Sequence, residues 1–166
     1  SVYGLDVETG DKQWKVKTEG SVTAPPTIAN GTVYMGCRDN NVYAYDASTG
    51  EQQWQFETGD QIWASPAVYN GVVYVGSRDS FIYAVDSATG ELRWKKELEG
   101  EIRSAPAIDD GTVYVSSRSL YALNTDEGGE EWVSEFDTTS GPAIKDGTIF
   151  VGYSNIEDNN PVSGVI

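Results

Sequence analysis

YAYDASTGEQQW, running from Tyr43 to Trp54, decides how the rest of the chain is read. The same pattern stands earlier as YGLDVETGDKQW, Tyr3 to Trp14, and later as YAVDSATGELRW, Tyr83 to Trp94. A more divergent fourth copy, YALNTDEGGEEW, runs from Tyr121 to Trp132. Tyrosine and tryptophan lie eleven residues apart in every copy. The first three copies start at intervals of 40, and the fourth follows after 38. A period of this size marks stacked repeats, each too small to bury its apolar face alone.

Each unit reads as four short strands. The first is led by a proline, in Pro26-Thr-Ile-Ala, Pro66-Ala-Val-Tyr, Pro106-Ala-Ile-Asp and Pro142-Ala-Ile-Lys. Asn30-Gly31, Asn70-Gly71, Asp110-Gly111 and Asp146-Gly147 follow at once. Such pairs accept the positive φ angles of a two-residue type I′ hairpin. The second strand is Val33-Tyr-Met-Gly and its equivalents from Val73, Val113 and Ile149, β-branched and aromatic as a half-buried strand requires. A polar turn follows, with Arg38-Asp39 and Arg78-Asp79 in the first two units. The third strand ends at Asp6, Asp46, Asp86 or Asn124, short side chains that can cap the next turn's N–H groups. Gly10, Gly50, Gly90 and Gly128 complete that turn, and the fourth strand carries Trp14, Trp54, Trp94 or Trp132. No stretch keeps helical periodicity.

Four strands of this length fill about 40 residues, and stacking such sheets around an axis buries both faces of each. The sequence therefore predicts an all-β propeller of four-stranded antiparallel blades in one domain, residues 1–166. The blades fall at about 20–58, 60–98 and 100–136, with a fourth shared between 138–166 and 1–17. Val2 and Ile166 share one repeat phase, so the ends meet in register if the ring closes and removes its sheet edges. A closed ring has four blades; half of an eight-bladed ring, completed by a second chain or by a longer parent, stands beside it. Trp14, Trp54, Trp94 and Trp132 are the packing knobs between blades, each burying on the order of 200 Å².

These units, best seen in SPAVYNGVVYVGSRDSFIYAVDSATGELRW from Ser65 to Trp94, resemble the PQQ-like repeat of β-propellers. The resemblance covers nearly the whole chain and excludes WD40 repeats, whose Gly-His and Trp-Asp signatures are missing. Departures lie in the third unit, shortened between Arg118 and Tyr121, and in the fourth, where Ile156-Glu-Asp-Asn-Asn-Pro161 replaces a short turn. The family includes quinoprotein alcohol and glucose dehydrogenases, a propeller lipoprotein of the outer-membrane barrel-assembly machinery, and sensor or surface proteins. Membership alone does not imply redox chemistry.

The quinoprotein members imply PQQ with Ca²⁺, a carboxylate base and, in many alcohol-oxidising enzymes, a vicinal cysteine pair. Here Cys37 is the single cysteine and there is no histidine. Cys37 aligns with Ser77 and Ser117, small residues suited to a buried slot. Asp6, Asp46 and Asp86 recur at a turn, as caps do. Asn124-Thr-Asp-Glu-Gly-Gly-Glu-Glu131 has a calcium loop's composition but falls on that same turn. Glu157-Asp-Asn-Asn160, an insertion without a repeat role, is the better metal candidate of the two, but a solvated acidic loop is the preferred reading. The sequence thus points to no catalytic, cofactor-binding or metal-binding residue, and PQQ with Ca²⁺ belongs only to the quinoprotein alternative.

A binding site is legible where the units disagree. Three residues before each proline stand Thr23, Trp63, Arg103 and Thr139. They open the innermost strand and so crowd one mouth of a propeller's central channel. Trp63 is the one tryptophan outside the knob set, and an aromatic beside a guanidinium suits a binding surface.

The net charge is −15, with 26 acidic against 11 basic residues spread along the chain. That field opposes nucleic acid and anionic lipid, leaving a protein partner. Six lysines against this much acid is the balance of a halophile's protein, in which salt screens self-repulsion. Mean hydropathy is −0.42, and no apolar run approaches the length that inserts into a membrane. The chain opens in mid-repeat and reads as a mature piece or part of a longer protein, extracellular or cell-surface. The function expected is a non-catalytic interaction or sensor module. Alternatives are a fragment of a quinoprotein dehydrogenase and a structural spacer.

Overall fold

The computed structural model describes residues 1–138, 140–155 and 162–165. Among them the chain is strand and turn, without a helix. The first full unit shows why. β3 (Thr27–Ala29) turns through Asn30 and Gly31, at φ 49° and 76°, into β4 (Thr32–Gly36). Both angles are positive, as the type I′ reading requires, and asparagine and glycine tolerate them. β5 (Asn41–Asp46) and β6 (Gln52–Glu57) complete a sheet in the order β3-β4-β5-β6.

The turn from β5 to β6 is organised by a single carboxylate. Asp46 Oδ1 accepts the backbone N–H groups of Ser48 and Thr49, both at 2.9 Å, and both their hydroxyls. The Ser48 hydroxyl, followed by the Thr49 and Ser48 amides, holds the Asp46 carboxyl down at about 2. Asp6 and Asp86 make the same backbone contacts, and Asn124 Oδ1 accepts from Asp126 N–H at 2.8 Å. The calcium-like stretch from Asn124 to Glu131 is therefore built as the repeat's ordinary turn.

The second blade runs β7 (Ala67–Tyr69), β8 (Val72–Gly76), β9 (Phe81–Asp86) and β10 (Leu92–Glu97). The third runs β11 (Ala107–Asp109), β12 (Thr112–Ser116), β13 (Ser119–Asn124) and β14 (Glu130–Asp137). At the ends lie three two-stranded sheets: β1 (Val2–Leu5) with β2 (Lys12–Val16), β15 (Ala143–Lys145) with β16 (Thr148–Phe150), and β17 (Gly152–Asn155) with β18 (Val162–Val165). The strands assigned in the sequence to a blade shared by the two ends lie in these separate two-stranded sheets. Among the described residues no backbone pairing joins β1 or β2 to the C-terminal strands.

The core lies between blades. Tyr34, Val42, Ala44 and Trp54 of the first blade meet Val73, Val75, Tyr83 and Val85 of the second. Val72, Tyr74, Ile82 and Ala84, on the second blade's other face, meet Val113, Val115, Tyr121 and Leu123 of the third. Alternate residues of one strand thus serve opposite neighbours, as the period of two dictates. Val2 and Val16 cover Val33, Met35, Tyr43 and Tyr45 on the first blade's free face, beside the buried thiol of Cys37. Burial is the largest cause raising the Cys37 pKa, which makes it a packed and unreactive group.

The tryptophans couple each blade to the next. Trp14, Trp54 and Trp94 donate Nε1–H to the carbonyls of Ala47, Ser87 and Thr125, each at 2.9 Å. The indoles lie over the glycine turn of the following blade. A Cβ on Gly50, Gly90 or Gly128 would fall 2.8, 2.9 or 2.6 Å from the respective ring. Glycine is required there for close approach as well as for its positive φ.

Candidate functional site

The linkers that enter the inner strands gather at the end where β4 and β8 finish and β7 begins. Trp63, half-buried in the linker before β7, forms the centre of a cluster there. Three guanidiniums surround its ring: Arg38 at 4.4 Å from the centroid, Arg78 at 4.7 Å and Arg103 at 5.5 Å. The indole is fixed in turn by Nε1–H donating to Gln61 Oε1 at 2.9 Å. Three of the chain's five arginines therefore converge on one side chain in a protein of net charge −15.

Glu101 ties the cluster together. It accepts two hydrogen bonds from Arg78, Nε at 2.7 Å and Nη2 at 3.1 Å, and one from Arg103 Nε at 2.8 Å. The Arg78 hydrogen bonds, then those of Arg103, hold the Glu101 carboxyl at about 2. Arg38 has no ion pair among the described residues, so one guanidinium of the cluster is held by stacking.

Of the four positions singled out in the sequence, the structure brings Trp63 and Arg103 together. Thr23 is exposed and forms no part of the cluster, and Thr139 lies outside the described residues. Sequence reasoning missed Arg38, Arg78 and Glu101 as partners of Trp63. The signal was present: Arg38 and Arg78 occupy the same repeat phase, one blade apart, at the turn facing the linker.

A cleft of about 340 Å³ opens between the third blade and the C-terminal strands, lined by the Glu101–Arg103 pair together with Ser104, Ser116, Ser117, Thr138 and Ser140. Ser116 takes the place that Gly36 and Gly76 hold in earlier blades. Its Oγ is buried without a hydrogen-bond partner. The earlier glycines are filled by Ile62 and Ile102, whereas Thr138 stands four residues before the corresponding proline. A tight apolar contact has become a polar cleft, lined by hydroxyls and the Glu101–Arg103 pair. No three His, Cys, Asp or Glu side chains converge among the described residues. The acidic insertion at Glu157–Asn160 lies outside them.

Residues 38–160 match the PQQ-like family described as outer membrane protein assembly factor BamB. The chain belongs to this family. Among solved structures it is similar to BamB from Moraxella catarrhalis, with TM-score 0.80 and 19% identity over 92% of this chain and 54% of that one. It also resembles the computationally designed Ika4 protein, with TM-score 0.76 and 14% identity over 100% and 98%. The quinohemoprotein alcohol dehydrogenase from Comamonas testosteroni gives TM-score 0.72 and 20% identity over 82% and 29%. No curated protein matches the chain in sequence. At these identities the structural likenesses establish the propeller architecture, and the chain spans about half the length of the Moraxella BamB. The same architecture thus carries both an assembly factor and an alcohol dehydrogenase among the similar structures.

Proposed function

We propose that this PQQ-like propeller segment is a non-catalytic docking module, working outside the cell or at its surface, whose contact site is the rim around Trp63. One observation carries the reading: three guanidiniums are gathered around one half-buried indole. Tryptophan and arginine dominate the energetics of protein interfaces because they offer large area at low entropic cost. The acidic composition fits work in concentrated salt, where charge steering over distance is screened within about 3 Å. Recognition there must rest on stacking and short bidentate bonds, which a Trp–Arg platform supplies.

The likeness to a quinohemoprotein enzyme keeps a redox reading in view. The carboxylate nearest the platform, Glu101, is committed to Arg78 and Arg103, which supports the docking reading. The test is capture of a partner in molar KCl by the wild type, by Trp63→Ala and by Arg103→Ala, with circular dichroism to confirm folding. Loss of one defined partner in both folded variants supports docking at this rim. Equal capture by all three removes the site, and saturable PQQ binding with Ca²⁺ and dye-linked alcohol oxidation would establish the enzyme instead.

A further inference from the structure

Arg38 and Arg78 occupy one repeat phase, at the turn after the second strand of successive blades. Each turn meets the linker that enters the next blade in the same register. Ile62 N–H donates to Cys37 O at 3.1 Å, and Ile102 N–H donates to Ser77 O at 3.0 Å. The residue before each isoleucine is thereby set against the turn arginine. Against Arg78 it is Glu101, which accepts from that guanidinium twice, at 2.7 and 3.1 Å. Against Arg38 it is Gln61, a neutral amide whose Oε1 already accepts the Trp63 indole N–H.

Arg38 is thus placed as Arg78 is, without the carboxylate. It is exposed and has no ion pair among the described residues, in a chain with 26 acidic side chains against 11 basic. The acids beside it in the turn and the linker are engaged elsewhere. Asp39 accepts from Gly20 N–H at 3.0 Å and from Tyr43 O–H at 3.1 Å, and Asp60 accepts from Gln61 N–H at 2.6 Å. The Arg38 guanidinium lies over the Trp63 ring, 4.4 Å from its centroid. A stacked guanidinium uses its face and keeps its fork of N–H groups for a planar acceptor.

We propose that Arg38 binds a carboxylate of the docking partner, in the place that Glu101 fills against Arg78. The partner then presents an aspartate or glutamate side chain to the rim. This inference rests on the docking reading and gives that site its chemistry. Stacking on the indole restrains the guanidinium beforehand, so less freedom is lost when the carboxylate arrives.

The test is an NMR titration in molar KCl, where attraction over distance is screened and the contact itself is read. The probe is a hexapeptide of alternating glycine and glutamate, set against the same peptide with glutamine in place of glutamate. The glutamate peptide is expected to shift the Trp63 indole N–H saturably, and the glutamine peptide to bind about 10-fold or more weakly. Arg38→Gln is expected to weaken the glutamate peptide by a similar factor. Gln61→Glu turns this linker into a copy of the next one, so Arg38 is expected to pair within the chain and the peptide again to weaken about 10-fold. Circular dichroism checks that both variants fold. No saturable shift, equal binding of the two peptides, or binding that survives both substitutions overturns the proposal. Partner capture judges the docking reading separately. A partner lost by Trp63→Ala and kept by Arg38→Gln leaves docking at the rim standing and overturns the carboxylate contact.

Discussion

Ile102 occupies the space that a side chain on Gly76 would need. A Cβ there would fall inside contact distance of the Ile102 Cγ2 atom, and Ile62 stands in the same relation to Gly36. Ile102 is fully buried, so it has no direction in which to yield. Gly76→Ala is therefore expected to overpack the junction and to cost about 1–3 kcal/mol in denaturant unfolding. Ser116→Ala, at the equivalent position beside the cleft, is expected to be neutral or stabilising, because it removes a buried hydroxyl without a partner. Equal losses in the two variants would mean that the isoleucine contact does not set the junction.

The tryptophan knobs should differ in worth according to whether their socket is filled. Trp54 is 7% exposed and bonded to Ser87 O, so Trp54→Ala is expected to cost about 3–5 kcal/mol. Trp132 is 42% exposed, so Trp132→Ala is expected to cost far less. Unfolding of the two variants in urea at one salt concentration makes the comparison. A similar loss in both would show that Trp132 is buried in solution by its own chain.

The Glu101 carboxyl has an ordinary value of 4.5 and is held at about 2, chiefly by Arg78 and then by Arg103. A folded value below the unfolded one means the ion pairs contribute fully above pH about 4.5. The contribution fades as pH falls toward 2. Carboxyl-carbon NMR of Glu101 should show its midpoint near the lower figure. The indole N–H of Trp63 is expected to shift over the same range as the guanidiniums are released, and Glu101→Gln to abolish that shift. A Glu101 midpoint close to 4.5 would show that the arginine clamp does not form in solution.

The charge of −15 is expected to make stability rise with salt. Thermal unfolding should shift upward on moving from dilute buffer to molar KCl, with the greater part of the gain in the first few hundred millimolar as the screening length shrinks. A melting temperature that does not respond to KCl would argue against a protein adapted to brine.

The strands, the positive-φ turns and the aspartate caps were legible because each depends on residues close together in sequence. Asn30-Gly31 and Asp46 to Gly50 carry their geometry with them. The tryptophan knobs were legible from their recurrence. The rim was half legible: Trp63 and Arg103 stood out as breaks in the repeat, but Arg38 and Arg78 looked like turn residues. Their convergence needs the linker before β7 to pass beside two successive turns, which is a matter of stacking and not of local pattern. The cleft at Ser116 was hidden for a related reason. A glycine replaced by serine signals nothing until the isoleucine that should fill it is seen to be missing.

The tryptophan-to-carbonyl coupling reaches one blade and no further: Trp14 touches the turn at Gly50, Trp54 that at Gly90, and Trp94 that at Gly128. Among the described residues no packing cluster joins blades that are not neighbours. A molecule assembled this way has no centre that every part must satisfy at once. Duplicating or deleting a unit of about 40 residues leaves each surviving junction with the partner type it already had, so the gene can lengthen or shorten in steps while the protein goes on folding.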